Sequence, residues 1–556
     1  MREFTVLILF VLGILNLKAQ SLEWITSGAG DRIYSKQDIG HSITSNGDFV
    51  FISGYVAGNN VKIQDTTIYH GDFSFLAKYS KSGDLKWIRE NDGEGITDVS
   101  VNSNGEVYTI YTSLWGMENH ILKFDKNGNE LWNKVVKNID KLESLTIDNE
   151  DNLILTGNYS AYKDSLIIED TVIYNISQDR ANSFVMKYNA SGEFKWFNTT
   201  KIISGYGGYI VFHDIQTDNN GNIFAIGEYE LYDENDSVQI GDYYLNSESN
   251  PLYDPYYFSH KDIIVTKLDS KGKFQWVKKF GGYQDDLGNR IAVNDLDEIF
   301  IVGNFADSIY FDDIKLETYG IDIYLSKLSS NGVIEWANRL GCNSANSALE
   351  EGRTVEADEN SVYVGGTYDG SYYYFGSTNL DDIIINNGSN IRSGFIAKYS
   401  LEGNFIGVNN LLTVNNLNIE TAKIEDIDIN NDNIYLTGNF YPPSTFFNTT
   451  IPTVYNNTNH FFLASLNINS TTYFSKIHSN KIDLYPNPAK DYVIVELENG
   501  YKNIITISDL KGNILISKKS SSIINSIDIS SLKNGLYILR VISNDAIYTD
   551  KFFKVD

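Results

Sequence analysis

The sequence predicts an all-β chain: a seven-bladed β-propeller of four-stranded blades, followed by a small antiparallel β-sandwich. Three observations carry this. The phrase "KYSKSGDLKW" (Lys78–Trp87) returns as "KFDKNGNELW" (Lys123–Trp132), "KYNASGEFKW" (Lys187–Trp196), "KLDSKGKFQW" (Lys267–Trp276) and "KLSSNGVIEW" (Lys327–Trp336). A second landmark, a glycine closely followed by an aromatic at a strand end, recurs at Gly54, Gly157, Gly227, Gly303, Gly366 and Gly438, with Tyr111 in the glycine's place in a seventh copy. The composition suits strands, with 38 Tyr, 29 Phe and only 7 Pro in 556 residues, together with frequent Gly-Asn turns.

The chain opens on "MREFTVLILFVLGILNLKAQ", with Arg2 as a short positive region, an apolar run from Phe4 to Leu17 and Ala19 as a small residue for cleavage. This reads as a secretory signal peptide over 1–19. The run is shorter than the ~20 residues a membrane span needs, and no other stretch is long and apolar enough, so the mature chain is expected to have no span. "SLEWITSGAG" (Ser21–Gly30) then matches a fourth strand, with Trp24 standing where Trp87 and Trp276 stand, but no third strand precedes it. Conversely, the last third strand, near Phe462–Leu466, has no Trp-bearing partner after it. The N-terminal strand is therefore expected to complete the last blade, which closes the ring and removes two free sheet edges.

Between these ends each unit holds four strands, as in Asp214–Thr217 (short), Ile223–Tyr229, Asp262–Asp269 and Lys273–Phe280. The turn glycine between the third and fourth suits a positive φ. Two copies are degenerate: "KYSLEGNFIG" (Lys398–Gly407) lacks the Trp, and "FLASLNINS" (Phe462–Ser470) lacks the Lys and Gly. The Gly-aromatic landmarks lie 46 to 76 residues apart, which means constant strands and variable loops. A parallel β-helix has much shorter coils and lacks this hairpin chemistry.

The net charge of −28 repels phosphate backbones and anionic membrane surfaces, so nucleic acid is not an expected partner. The single cysteine, Cys342, cannot form an internal disulfide and reads as a small buried filler. The seven histidines, His41, His70, His120, His213, His260, His460 and His478, show no metal-ligand spacing. There is no Gly-x-Ser-x-Gly elbow, His-Glu-x-x-His helix or phosphate-cradling glycine loop. Asp/Asn-rich turns at Asp148–Asn152, Asp218–Asn222, Asn294–Glu298 and Asn430–Asn433 look like fragments of calcium loops but lack the full ligand spacing. Asx chemistry accounts for them, so no cofactor is expected.

One aligned set points to a binding site. Just before the first strand of successive repeats stand His41, Glu143, His213, Asn289, Arg353 and Glu425. First strands line a propeller's channel, so these side chains would ring its mouth, a usual place for a ligand. The plainer reading is that strand ends are polar because they meet water. On either reading Arg353 is expected to be solvated.

The repeat resembles bacterial β-propeller repeats whose motif ends in a Lys-Leu/Tyr-Asp-x-x-Gly-x-x-x-Trp phrase, from Ser21 to about Ile477. After Ser479 the landmarks stop and the charge balances, with nine basic and nine acidic residues in the last 75, which marks a domain boundary. Five short strand patterns follow, between Asp491 and Val555. "LYPNPAKD" (Leu484–Asp491), "ISDLKGNIL" (Ile507–Leu515), "DISSLKNGLYILRV" (Asp528–Val541) and "KFFKVD" (Lys551–Asp556) resemble, in order, the C-terminal sorting domain of type IX secretion, type A. The matching motif residues are Tyr485, Pro486, Asn487, Pro488, Gly512, Gly535 and Tyr537.

The resemblance implies an immunoglobulin-like sandwich over 480–556 that carries cargo from the periplasm across the outer membrane. It also implies removal of that domain by a sortase-like peptidase, with the cargo released or joined to surface polysaccharide. Pairs such as Asp65-Thr66, Asp164-Ser165, Asp170-Thr171, Asp236-Ser237 and Asp307-Ser308 resemble the O-glycosylation sequence of bacteria that use this route.

The function expected from all this is an exported, secreted or surface-held propeller (21–478) that binds or scaffolds a glycan or protein without catalysis. The alternative is a polysaccharide hydrolase or lyase with its site in the channel, using carboxylates such as Glu143 and Glu425. A passive surface-layer or stalk component is the third reading.

Overall fold

The recurring phrase is a β-hairpin in the computed structural model. Lys78 pairs with Trp87, Lys123 with Trp132, Lys187 with Trp196, Lys267 with Trp276 and Lys327 with Trp336. The degenerate copies keep the register, with Lys398 opposite Gly407 and Ser465 opposite Trp24. Each turn glycine, from Gly83 (φ 85°) to Gly403 (φ 82°), lies in the left-handed region that favours glycine.

The structure describes residues 21–32, 38–69, 71–91, 95–113, 118–160, 165–168, 171–174, 181–203, 208–232, 236–246, 260–341, 350–368, 374–375, 393–413, 422–447, 449–455, 458–468, 483–496, 503–508, 514–520, 522–543 and 546–555. The signal-peptide stretch, Cys342 and Gly512 lie outside these residues. The described regular elements are all strands, and no helix among them is long and apolar enough to cross a membrane.

The hairpins are the third and fourth strands of antiparallel meanders. The first meander is Ile39–Asn46, Phe49–Val56, Phe73–Ser80 and Leu85–Asn91. The last takes three strands from Ala422–Asn430, Asn433–Phe440 and His460–Asn467, and its fourth is Ser21–Ala29 from the other end of the chain. That pairing runs from Ser21 opposite Asn467 to Gly28 opposite Phe461. Ring closure by the N-terminal strand is therefore a feature of the structure, and the architecture is that of a β-propeller.

The recurring residues of the phrase join each meander to the next. A Cβ on Gly83 would lie 2.8 Å from the Trp24 ring, and one on Gly128 2.9 Å from the Trp87 ring. Each tryptophan thus lies flat on the next meander's turn, where only glycine fits. The indole N–H then donates to a turn carbonyl, Trp24 to Lys81 at 2.8 Å and Trp336 to Leu401 at 3.0 Å. The lysine reaches across as well, Lys78 Nζ donating to the Lys126 carbonyl at 2.8 Å. Buried apolar side chains from adjacent sheets fill the space inside each joint, as with Ile110 and Ile121 against Leu145 and Leu155.

Two features differ from the sequence expectation. First strands are seven to ten residues long, as in Lys141–Ile147 and Gly208–Thr217, so the candidate site residues lie inside them. The loops between second and third strands also carry structure. Val61–Ile63 and Thr66–Ile68 form a hairpin on the outer edge of Ser21–Ala29. Ser165–Ile168 with Thr171–Tyr174 does the same on Glu130–Lys137, and Ser237–Ile240 with Tyr243–Asn246 on Phe194–Ile203. These segments share a pattern, apolar-x-apolar-x-Asp/Asn, in "VKIQD", "LIIED", "VQIGD" and "IYFDD". Asp65 therefore sits in a hairpin turn, which accounts for one Asp-Thr pair structurally.

The C-terminal part forms two sheets. One orders Asp483–Tyr485, Tyr492–Glu496 and Ile524–Asp528; the other orders Ile514–Ser520, Asn503–Ser508, Gly535–Ser543 and Ala546–Lys554. Val493, Val495, Ile505, Ile507, Leu539 and Phe552 form their common core. None of these strands pairs with a propeller strand.

Candidate functional site

All six residues picked out by repeat alignment line one cavity of ≈490 Å³: His41, Glu143, His213, Asn289, Arg353 and Glu425. A β-bulge in every first strand places them there. Gly40 pairs with Gly54 and Ser42 with Ser53, which leaves His41 as the extra residue. The same shift skips Thr97, Glu143, His213, Asn289, Arg353 and Glu425. A bulge breaks the two-residue alternation and re-aims side chains, so the skipped residue and its successor both face the channel.

The Gly-aromatic landmark is the other half of this device. A Cβ on Gly227 would stand 1.8 Å from the Val211 carbonyl, on Gly303 1.8 Å from that of Leu287, and on Gly438 2.0 Å from that of Lys423. The bulged strand presses its backbone onto the second strand at this point, and glycine leaves the room. The residue after the landmark then meets the bulge side chain. Asn158 donates to Glu143 at 2.7 Å, Glu228 lies 2.8 Å from His213 Nε2, and Asn289 donates to Asn304 at 3.0 Å.

The mouth is a network of paired charges. Lys141 bonds Glu143 at 2.7 Å. Arg353 is clamped between Glu351 and Glu425, so it is an anchored cation rather than the solvated one expected. His41 is different: among the described residues it makes no hydrogen bond. Burial holds its pKa below the usual imidazole value; Glu425 opposes this, while Lys141, Arg353 and Arg290 add to it. It faces the cavity as a neutral imidazole, able to donate at one nitrogen and accept at the other.

Deeper in the channel lies a ring that repeat alignment did not single out: Ser42, Asp98, Ser144, Asp214, Arg290, Thr354 and Asp426, each one residue past a bulge. The three aspartates stitch neighbouring first strands together. Asp98 accepts from Leu145 N at 2.8 Å, Asp214 from Ile291 N at 2.9 Å and Asp426 from Ile43 N at 2.9 Å. Ser144 Oγ spans Asp98 and Asp214 at 2.9 Å each. Arg290 lines both this ring and the mouth. Desolvation lowers its pKa, but Asp214, Asp426 and Asp98 outweigh that and raise it.

Burial pushes the Asp214 carboxyl up to about 6, with Arg290 opposing, and the Asp426 and Asp428 carboxyls up to about 7. Asp38, buried at the edge of the first meander where it accepts from Gly30 N and Ala57 N, is likewise raised to about 7. An acid with a raised folded pKa keeps its proton in the fold after the unfolded chain has lost it. Its contribution to stability is therefore lost as pH rises through the folded value. His460, lowered by burial to about 4, and His41 act in the opposite sense, but only as pH falls below their unfolded value of about 6.5. Taking the buffer from pH 8 to 6.5 is thus expected to raise the melting temperature at constant ionic strength. A flat or falling melting temperature over that window would contradict the assignment.

The Asp/Asn-rich turns close on themselves. Asp148 Oδ1 accepts from Glu150 N and Asn152 N at 3.0 and 2.9 Å, while Oδ2 takes Lys187 Nζ at 2.8 Å. Asp218 accepts from Asn220 N and Asn222 N at 2.9 and 2.8 Å. Among the described residues no group of three or more His, Cys, Asp or Glu is placed to hold a metal ion.

In the C-terminal sheets, the Tyr485–Pro488 motif clasps the last strand. Asn487 Nδ2 donates to Lys551 O and Asn487 Oδ1 accepts from Phe553 N, both at 2.9 Å. Ala489 N donates to Phe553 O at 2.7 Å, and Tyr537 stacks on Phe552 with ring centroids 5.7 Å apart.

Among known proteins, the chain is similar to an uncharacterized WD repeat-containing protein of Acanthamoeba polyphaga mimivirus, at 24% identity over 298 residues. That match takes in 46% of this chain and 19% of the viral protein. Among solved structures it is similar to the Dos1 propeller (TM-score 0.37, 9% identity, 80% of this chain and 96% of that one). It is also similar to PorZ, a bacterial surface component of the type IX secretion system of Porphyromonas gingivalis (TM-score 0.15, 9% identity, 95% and 100%). Residues 483–555 match the family model of the secretion system C-terminal sorting domain, so the chain carries the sorting tail of an exported cargo protein.

Proposed function

We propose that this chain is a cargo of type IX secretion. In this reading a seven-bladed propeller, over 21–478, binds a polar glycan or peptide at its channel mouth without catalysis, and an immunoglobulin-like sandwich, over 480–556, directs export to the outer surface or medium. The carrying observation is that six positions chosen from repeat alignment line one cavity, where donors and acceptors converge around an unpaired imidazole. The seven copies of the two landmarks, each with its bulge, support the blade number. The two-sheet core of the tail supports the sandwich.

Binding is favoured over hydrolysis by how the carboxylates are held. Glu143 is tied by Lys141 and Asn158, and Glu425 by Arg353. A glycosidase needs a pair of carboxyl groups free to reach the leaving oxygen and the opposite face of the sugar, and here both are engaged by protein partners. The test is a glycan array and peptide panel on the mature chain, with a reducing-end assay on polysaccharides. Once a ligand is found, His41→Ala is expected to weaken binding about fivefold, the loss of a neutral hydrogen bond of about 1 kcal/mol. No hydrogen bond among the described residues is lost with it, so the melting temperature should change little. Arg353→Ala is expected to cost more, on the order of 1.5–3 kcal/mol, together with some stability. Undiminished affinity in both variants, or release of reducing ends, would sink this reading.

A further inference from the structure

Arg290 is a cation of the channel whose donors the protein itself leaves largely unused. It directly follows the bulge residue Asn289, so it lines both the mouth and the deeper ring. Its Nη1 donates to Asn289 O at 3.0 Å, and among the described residues it makes no other hydrogen bond and no ion pair. Most of the guanidinium's N–H groups therefore remain open. The carboxylates of the mouth, by contrast, are matched within the protein: Glu143 by Lys141, Glu228 by His213 and Lys261, and Glu351 and Glu425 by Arg353.

An arginine with a purely structural role here would bond the aspartates around it. Their oxygens are instead turned to other donors. Asp98 accepts from Ser42 Oγ at 2.7 Å and Leu145 N at 2.8 Å, Asp214 from Ser144 Oγ and Ile291 N at 2.9 Å each, and Asp426 from Thr354 Oγ1 at 3.0 Å and Ile43 N at 2.9 Å. These carboxylates keep Arg290 charged without occupying its N–H groups. On the mouth side the surroundings change sign. The charges that bear most on His41 are Glu425, itself paired with Arg353, and three cations, Lys141, Arg353 and Arg290. Exposed charges beyond about 8 Å are largely screened at physiological ionic strength, so this local set decides there, rather than the net charge of −28.

We propose that the mouth binds an acidic glycan through a uronate residue, whose carboxylate lies on the mouth side of Arg290 and accepts from its open N–H groups, with His41 on a neighbouring hydroxyl. This rests on the channel-mouth reading above and narrows it to one ligand class. Arginine's planar fork matches the two oxygens of a carboxylate. A sugar also fits the rest of the wall better than an acidic peptide does. Hydroxyls both donate and accept, and the wall offers both roles in the neutral His41 imidazole and the part-exposed Glu351 carboxylate. A peptide draws affinity from a strand edge or from pockets for alternate side chains, and Leu287 is the one apolar residue in the lining.

The probes are short oligomers of galacturonate, mannuronate and glucuronate, each beside its carboxyl-reduced counterpart, titrated into the full mature chain by calorimetry. Saturable binding of a uronate oligomer is expected, with the reduced counterpart at least about tenfold weaker. That comparison uses the unaltered chain, so it stands whether or not a variant folds. Arg290→Lys keeps the charge among the aspartates but loses the fork; it should weaken the uronate about tenfold and the reduced oligomer less than about twofold. Arg290→Lys and carboxyl reduction together should cost little more than either alone, as for two groups that touch. Equal binding of uronate and reduced oligomers, an intact uronate preference in Arg290→Lys, no uronate bound at millimolar concentration, or an Asp/Glu peptide bound in place of the uronates would each overturn the proposal. A neutral glycan that binds regardless of a carboxylate and loses affinity in His41→Ala would overturn it too, yet leave the channel-mouth reading standing.

Discussion

A chain truncated after Ser479 is expected to accumulate in the periplasm, with none on the cell surface or in the medium. The matched sorting domain begins at residue 483, so the truncation removes it whole. It should leave the propeller intact, because among the described residues no strand of the tail pairs with a propeller strand, so the melting curve of the truncated propeller separates loss of sorting from loss of folding. A milder change makes the same point from inside the domain. Asn487→Ala removes both bonds that hold the Tyr485–Pro488 motif against Ala546–Lys554. At about 1 kcal/mol for each hydrogen bond, this should lower export without abolishing the fold. Normal surface delivery of the truncated chain would show that the export signal lies elsewhere.

Much of this molecule was legible because its repeat is written in residues with one job each. Glycine and tryptophan in the recurring phrase are a ring lying on the next meander's turn, which has no Cβ, and Lys stands opposite Trp in the five copies that keep both residues. The orphan Trp24 could be placed for the same reason. Alignment of the repeats picks out the channel-mouth positions but places them before the first strand, whereas they are bulges within it. A bulge shifts the alternation by one residue, which a period of two cannot reveal; the signal that could have found it is the glycine opposite. The ring at Asp98, Asp214, Arg290 and Asp426 was missed with it, because a reading that ends the strand early never asks what the next residue faces.

The covering hairpins read as variable loops in the sequence, since three-residue strands such as Val61–Ile63 are too short for alternation to register. Their pattern shows only once copies are aligned on the turn Asp. Arg353 illustrates a different limit. Its partner Glu351 is two residues away and Glu425 seventy-two, and sequence spacing carries no information about the second.

Deleting Leu22–Ile25 is expected to have the largest effect on stability of any change to the propeller. The segment is the middle of the strand that joins the chain's two ends, paired from Leu22 opposite Leu466 to Ile25 opposite Ala464. Leu22 and Ile25 pack on the core of the last meander, and Trp24 packs on that of the first, 6.3 Å from Tyr435. The indole also lies on Gly83 and donates to Lys81 O at 2.8 Å. Without the strand, the outer edge of His460–Asn467 is unpaired, and the hairpin Val61–Ile68 loses the strand on which it sits.

Truncating a fully buried tryptophan costs about 3–5 kcal/mol. Trp24 is half-buried, so Trp24→Ala alone is expected to cost about 2–3 kcal/mol. Trp24→Phe, which keeps a ring on Gly83 but not the N–H bond, should cost about 1 kcal/mol. The four-residue deletion exceeds either, and it comes at the one joint the chain does not hold covalently, so unfolding is expected to lose cooperativity or the protein to aggregate through the exposed edge. Thermal melts with light scattering distinguish these outcomes. An unchanged melting curve for the deletion would mean that the ring closes without this strand, and the pairing of Ser21–Ala29 with His460–Asn467 would have to be abandoned.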